Sequence, residues 1–140
     1  MILFCDTSAL VKLYIEEDGS SELRLKLQEC DAVAVCRIAW AEAYAAFSRR
    51  AREAPEDALL IEQAKASLAN DWPKFVVLNI NQHLVELSGD YADTFALRGY
   101  DSIQLAAAFE AGRKSQVKLF FACYDLRLNK AAKLLGMMGF

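Results

Sequence analysis

Four short, mostly apolar runs are spaced along this chain, and they constrain its fold more than any other feature. They are residues 1–5 (MILFC), 32–36 (AVAVC), 75–78 (FVVL) and 117–122 (VKLFFA). Each is too short for a typical helix and does not alternate polar with apolar residues, so each is predicted to be a strand buried on both faces. The longer stretches between them space their apolar residues as helices do.

Strands that alternate with helices predict βαβ units, a mostly parallel sheet and helices on both of its faces. The helical stretches at 38–53 and 55–71 follow each other without a strand between them. We therefore expect a helical hairpin at about 38–71 that projects from one edge. A chain of 140 residues is predicted to form a single domain over 1–140. In such sheets the active crevice lies outside the carboxyl ends of the strands.

The composition excludes several classes of protein. Apolar residues make up 55% of the chain and charged ones 25%, which argues against a disordered or fibrous protein. No apolar run approaches the ~18 residues of a membrane span, and Asp6 interrupts the first one, so we expect a cytoplasmic protein with no membrane partner. The single histidine, His83, excludes chemistry that needs two histidines. The four cysteines form no CxxC pair and are expected to be free and mostly buried.

Four acidic residues stand out by their positions. Asp6 ends the first predicted strand, while Glu42 and Asp125 follow the second and fourth strands within a few residues. Asp101 opens a stretch so apolar that it is predicted to be a central, buried helix. Because the carboxyl ends of parallel strands lie at one edge of the sheet, these four side chains can converge there.

Each acid taken singly also has a purely structural interpretation. Three of the four precede predicted helices, where an aspartate is a favoured N-cap, and Asp101 has capping-box spacing to Gln104. At ~100° per residue, Glu42 falls on the helix face of Arg49 and Glu53, which suits an exposed position. The pattern at any one position therefore does not separate a cap or a surface acid from a catalytic one.

The four acids together point to a metal ion. Two carboxylates ~4 Å apart repel by about 4 kcal/mol at an effective dielectric of 20, so a cluster needs protons or a cation. Without histidine or cysteine ligands, the expected ion is Mg²⁺, with Mn²⁺ as a substitute. Such an ion lowers the pKa of bound water and stabilises the oxygens of a displacement at phosphorus. The set therefore predicts hydrolysis of phosphodiester bonds.

The net charge of −3 argues only weakly against a nucleic-acid substrate. Without the four acids, 15 acidic and 16 basic side chains remain, so binding of RNA would rest on local basic groups. Four candidates, each within six residues of a site acid, are Lys12, Arg37, Arg98 and Arg127. They are candidates for phosphate contacts, and each is equally consistent with a solvated charge at a helix end.

These segments together resemble the PIN-domain ribonucleases, most closely the VapC toxins of type II toxin-antitoxin systems. The matching motifs, in the family's order, are DTSALVKLY, WAEAYAAF, LRGYDSIQLAAA and FFACYDLRLNKAA. The resemblance runs nearly from end to end. It implies a three-layer α/β/α sandwich with a sheet of four to five strands and Mg²⁺-dependent cleavage of RNA. It also implies a homodimer and a cognate antitoxin protein as a partner.

The resemblance assigns metal binding and catalysis to Asp6, Glu42, Asp101 and Asp125. Ser8 matches a hydroxyl that supports the site, and Thr7 and Asn129 are further candidates for orienting a ligand. The chain departs from the family two residues before the last aspartate, where the family often has a threonine or serine and this chain has Cys123. No further acid follows Asp125 in LRLN, which leaves the number of bound ions open.

Two features favour an alternative function, a catalytically weak binding module on the same fold that docks a protein or RNA partner. A thiol at Cys123 is a poorer hydrogen-bond donor than a hydroxyl, which would weaken support for the site. The apolar stripe of Trp40, Tyr44 and Phe47 could form a docking surface, although it is equally consistent with a buried core.

Overall fold

The computed structural model describes all 140 residues and contains four strands and seven α-helices. In chain order they are β1 (Ile2–Cys5), α1 (Thr7–Lys12), α2 (Ser20–Gln28), β2 (Ala32–Cys36), α3 (Ala39–Glu53), α4 (Ala58–Asp71), β3 (Val76–Leu78), α5 (Gln82–Phe95), α6 (Gly99–Ser115), β4 (Leu119–Ala122) and α7 (Leu126–Leu134). Short 3₁₀ helices at Pro55–Asp57 and Trp72–Lys74 follow α3 and α4. None of the helices is long and apolar enough to span a membrane.

The strands form one parallel sheet in the order β3-β2-β1-β4. β1 lies between two neighbours, and its Phe4 is in register with Ala34 of β2 and Phe121 of β4. This confirms the prediction of a mostly parallel sheet. Burial on both faces holds for β1 and β4 but not for β3, where Val76 is 45% exposed.

Helices cover both faces of the sheet and create two separate cores, which is the expected three-layer arrangement. On one face, Phe4 and Phe121 pack with apolar residues of α5, α6 and α7. On the other, Leu3 and Val35 pack with residues of α1, α2, α3 and α4. Each buried large apolar side chain contributes roughly 1.5–3 kcal/mol, so the alternation of side chains along β1 stabilises both layers.

The helices α3 and α4 follow each other without a strand between them, α3 packs against α1, and both helices contribute to the apolar core on this side of the sheet. Phe47 of α3 is fully buried in the same core as Leu68 of α4. Trp40 is half-buried, stacks on Tyr44 at 5.0 Å between ring centroids and meets Trp72 edge-on at 5.2 Å. The aromatic stripe therefore belongs to the packing of the hairpin, and it no longer supports a docking surface.

All four cysteines are free, as the sequence predicts. Cys5, Cys36 and Cys123 are buried and Cys30 is partly buried. Burial raises the pKa of each of these thiols, so they are poor nucleophiles and behave as small apolar side chains.

Candidate active site at the carboxyl edge of the sheet

A shallow cleft of about 290 Å³ opens where the carboxyl ends of β1, β2 and β4 meet the first turns of four helices. All four acids singled out from the sequence line it, namely Asp6, Glu42, Asp101 and Asp125. A larger groove of about 490 Å³ lies between α4 and the segment after α1, but none of these four acids lines it. The smaller cleft is therefore the candidate active site.

Asp6 is both a helix cap and a member of the cleft. Its Oδ1 accepts hydrogen bonds from the Ala9 backbone N–H at 2.9 Å and from the Ser8 hydroxyl at 2.7 Å. The side chain is buried, and this desolvation raises the pKa of Asp6 despite the bonds from Ala9, Ser8 and the Cys123 thiol. The nearby charge of Asp101 raises it further. The hydrogen bonds from the protein therefore do not fully offset the cost of desolvating an ionised Asp6.

Glu42 lies in the first turn of α3 and is half-buried, although its helix face had suggested an exposed position beside Arg49. The difference arises because α1 packs across the start of α3. The Oε1 atom of Glu42 accepts hydrogen bonds from the Thr7 hydroxyl at 2.7 Å and from Gln104 Nε2 at 3.0 Å. Its other oxygen, Oε2, has no hydrogen bond to the protein.

The two remaining acids are held differently. Asp125 caps α7, because its Oδ1 accepts from the Leu128 backbone N–H at 2.8 Å. Asp101 does not cap α6, whose N-cap residue is Arg98, and the predicted capping box with Gln104 is wrong because Gln104 reaches across to Glu42. The Nε atom of Arg98 lies 3.5 Å from Oδ2 of Asp101, and Arg98 is so exposed that this ion pair contributes little stability.

The starts of four helices supply positive potential to the cleft. Asp6 and Asp125 cap α1 and α7, while Glu42 and Asp101 lie in the first turns of α3 and α6. A helix N-terminus favours negative charge, which helps these carboxylates to share one cleft. Only Asp101 has a basic partner within ion-pair distance. An excess of negative charge therefore remains.

The donor set fits a hard divalent cation. Every acidic ligand candidate offers carboxylate oxygen, which Mg²⁺ and Mn²⁺ prefer. No three histidine, cysteine, aspartate or glutamate side chains are close enough together to hold one ion between them. The carboxylates share a cleft without forming a closed ligand group. Mg²⁺ commonly binds in this way, through one or two carboxylates together with water and substrate phosphate.

The three candidates for orienting groups contact different partners. Ser8 donates to Asp6 and Thr7 donates to Glu42, so both touch an acid of the cleft. The side chain of Asn129 makes no hydrogen bond to an acid of the cleft. Its Nδ2 donates to the Cys123 carbonyl at 2.8 Å and so holds the connection between β4 and α7.

The four basic candidates are not equally close to the cleft. Arg98 lines it, and Arg127 lines the adjoining cleft that also includes Asp101 and Asp125. The Nζ atom of Lys12 lies 4.7 Å above the ring of Tyr124 at the rim. Arg37 lines neither cleft and instead donates two hydrogen bonds to Asn79 Oδ1.

Two residues of the cleft were not identified from the sequence as members of the site, Gln104 and Tyr124. Gln104 carried a usable signal, because it lies one turn after Asp101 and is the one polar residue in the stretch from Ile103 to Phe109. Tyr124 carried none, since its place at the rim depends on contacts with Gly19 and Lys12, which are distant in the chain.

Comparison with known proteins agrees with this geometry. The profile of the PIN domain matches residues 3–134. The chain is 32% identical to ribonuclease VapC49 of Mycobacterium tuberculosis over 143 aligned residues, which cover 96% of this chain and 92% of that protein. Among solved structures, the sarcin-ricin loop cleaving toxin VapC20 of Mycobacterium tuberculosis superposes with a TM-score of 0.67 at 17% identity, over 92% of this chain and 94% of that one. A toxin-antitoxin complex from Klebsiella pneumoniae contains a chain with a TM-score of 0.59 at 21% identity, covering 86% of this chain and 84% of that one.

Proposed function

Because this chain belongs to the PIN-domain family and is a relative of the VapC ribonucleases, we propose that it is a Mg²⁺-dependent endoribonuclease and the toxin of a toxin-antitoxin pair. One observation carries the proposal. Four carboxylates at the starts of four helices line a single cleft, and three of them have no basic partner. Such a cleft suits a divalent ion and the phosphate of a nucleic acid.

In the proposed reaction, Asp6, Asp101 and Asp125 would hold the ion, in part through bound water and RNA phosphate because no three of the acids lie close enough to ligate it together. Glu42 would either join them or accept a proton from the attacking water. A bound Mg²⁺ supplies activation of that water and stabilisation of the leaving oxygen. The Oε2 atom of Glu42 is suited to accept a proton because it makes no hydrogen bond to the protein. The geometry thus separates one well-held oxygen from one free oxygen on the same carboxylate.

The protein also orients the ligands and the substrate. Ser8 fixes Oδ1 of Asp6, and Thr7 fixes Oε1 of Glu42, which limits the rotation of both carboxylates. Arg98 and Arg127 flank the acids on the side of Asp101 and Asp125, where they would contact phosphates of the RNA. Arg37 is committed to Asn79 and is the weakest of the four candidates.

The proposed partners are an RNA substrate, a cognate antitoxin and a second copy of the chain. The antitoxin is supported by the solved relative from Klebsiella pneumoniae, which is part of a toxin-antitoxin complex. The homodimer rests on the family resemblance.

Metal dependence is the direct test of this function. We expect the purified protein to cleave RNA with Mg²⁺ or Mn²⁺, and EDTA to reduce the rate by at least about a hundredfold, because the carboxylates alone cannot activate water. The measurement is gel analysis of transfer, ribosomal and messenger RNA, with excess Mg²⁺ added back as the control. Undiminished cleavage in EDTA would contradict the metal mechanism, and intact RNA of all three classes under every metal would contradict the nuclease.

The substitution Cys123→Ser is expected to increase the rate of RNA cleavage about two- to fivefold. The Sγ atom of Cys123 accepts the Asp125 backbone N–H at 3.2 Å, and the thiol lies close enough to Asp6 to influence its pKa, so this side chain lies between two residues of the cleft. A hydroxyl forms stronger hydrogen bonds, and about 1 kcal/mol corresponds to a fivefold change in rate. Initial rates for wild type, Cys123→Ser and Cys123→Ala provide the measurement. A slower serine variant would show that the thiol is preferred at this position.

A further inference from the structure

Gln104 is a buried polar side chain in α6, the helix with the most buried residues in the protein. Its exposed fraction is 3%, and the four residues that follow it in α6, Leu105 to Ala108, are all buried and apolar. The Oε1 atom of Gln104 is buried without a hydrogen-bond partner. An unsatisfied buried carbonyl is costly, so Gln104 is a poor choice for stability at this position.

The amide nitrogen of Gln104 makes two contacts that join three elements. Its Nε2 donates to Oε1 of Glu42 at 3.0 Å and to Oγ1 of Thr7 at 3.2 Å. Thr7 in turn donates its hydroxyl proton to the same Oε1 at 2.7 Å. Because the amide occupies a lone pair of the threonine oxygen, the threonine proton is left free to point at Glu42. The two donors therefore act together on one carboxylate oxygen.

The charge of Glu42 determines which way the amide of Gln104 faces. In the opposite orientation Oε1 of Gln104 would oppose Oε1 of Glu42, and two acceptors would repel each other. The observed orientation directs both donor contacts to the Glu42 and Thr7 oxygens and leaves the amide's own oxygen without a partner. The hydrogen bonds of Gln104 therefore hold Glu42 and Thr7 in place and do not stabilise the packing of α6.

We propose that Gln104 is a positioning residue that, with Thr7, clamps Oε1 of Glu42 and keeps Oε2 available at the cleft. This inference rests on the proposed nuclease function for its consequence, but the clamp itself is a property of the metal-free protein. A glutamate with both donors in place has lost most of its rotamer freedom before substrate arrives. Without Gln104 the carboxylate can rotate, and its free oxygen is no longer held at the cleft.

The first test compares Gln104→Met with wild type. Methionine has a similar length and no polar group, so we expect kcat to fall about 10- to 100-fold, as for other groups that orient a ligand, while KM for RNA stays within twofold. The melting temperature should be unchanged or higher, because the unpartnered carbonyl is removed. Ser88→Ala is the matched control, since Ser88 is a buried polar residue of α5 that lies outside the cleft and should leave kcat unchanged.

The second test is a double-mutant cycle with Glu42→Gln. If Gln104 acts through Glu42, Gln104→Met should cause less than a twofold further loss of kcat in the Glu42→Gln background. Losses that multiply would overturn the proposal, as would a Gln104→Met variant whose kcat is unchanged. A fall in melting temperature that parallels the loss of activity would assign Gln104 a structural role instead.

A third measurement separates this inference from the nuclease function. In metal-free protein, the side-chain amide protons of Gln104, observed by ¹⁵N NMR, should exchange with water at least about tenfold more slowly than in Glu42→Ala, because a bond to a charged acceptor is lost in the variant. If no RNA is cleaved, the nuclease proposal fails while slow exchange still supports the clamp. Equal exchange rates in the two proteins would overturn the clamp even if the enzyme is active.

Discussion

Replacing Asp6 by asparagine is expected to reduce RNA cleavage by roughly a thousandfold while the fold is preserved. The amide keeps an oxygen that can accept the bonds from Ala9 and Ser8, so the cap of α1 survives. What is lost is a negative charge buried in the cleft, and an ion held partly by that charge would bind less tightly and polarise water less. Initial rates at saturating Mg²⁺ measure the effect.

The same substitution is expected to leave the metal-free protein equally stable or more stable at neutral pH. Burial raises the pKa of Asp6, so the folded state binds a proton more tightly than the unfolded state. The free energy of unfolding therefore falls as the pH rises from about 3.9, the ordinary carboxyl pKa, to the raised pKa of Asp6 in the folded protein. Above that raised pKa the full loss of stability is present. Asparagine has no such proton, so its advantage over wild type should grow with rising pH. Thermal melts in EDTA across this range measure the difference.

Asp93→Asn is the matched control, because Asp93 is an exposed carboxylate of α5 outside the cleft. It should leave both cleavage and the pH dependence of melting unchanged. Full activity in Asp6→Asn would remove Asp6 from the catalytic set. An asparagine variant that melts well below wild type at neutral pH would show that the ionised carboxylate stabilises the fold, contrary to the direction of its pKa.

Phe4→Ala is expected to destabilise the protein by about 3–5 kcal/mol, which is a large share of the 5–15 kcal/mol typical of a folded domain. Phe4 is fully buried in β1 between two neighbouring strands. Its ring lies 5.7 Å from the ring of Phe121, so truncation removes an aromatic contact as well as buried area. Urea unfolding followed by circular dichroism measures the loss.

Phe4→Leu is the appropriate control, since a large apolar side chain fills much of the same volume and should cost less than about 1.5 kcal/mol. Because Asp6 follows directly after the end of β1, two residues beyond Phe4, Phe4→Ala should also lower activity at urea concentrations well below its unfolding midpoint. If Phe4→Ala and Phe4→Leu were equally stable, the surrounding core would have to close around the alanine and leave no cavity.

The parallel sheet could be predicted because its signals are local. Apolar runs without alternation indicate strands buried on both faces, and the helical stretches between them require parallel connections. The positions of Asp6 and Asp125 follow from the same information, since each comes directly after a strand whose carboxyl end lies at one edge. The position of Glu42 was harder to predict, because the helix face on which it lies indicated an exposed side chain.

Contacts between distant segments could not be predicted in the same way. Gln104 looked like the second half of a capping box with Asp101, yet its amide donates to Glu42, which is 62 positions away in the chain. The two hydrogen bonds of Arg37 to Asn79, 42 positions away in the chain, likewise could not be predicted. The surface that covers the apolar face of α3 could not be predicted either, because periodicity identifies the apolar face of a helix but not the element that packs on it.

The order of strands and helices, the all-oxygen character of the candidate site and the edge of the sheet where it lies were determined by the sequence alone. These properties depend on the pattern of neighbouring residues and on the shared direction of parallel strands. Only the tertiary structure decided that Oε1 of Glu42 is held by Thr7 and Gln104 while Oε2 stays free. A hydrogen bond depends on distances of a few tenths of an ångström between side chains, and those distances arise only when α1, α3 and α6 pack against the same end of the sheet.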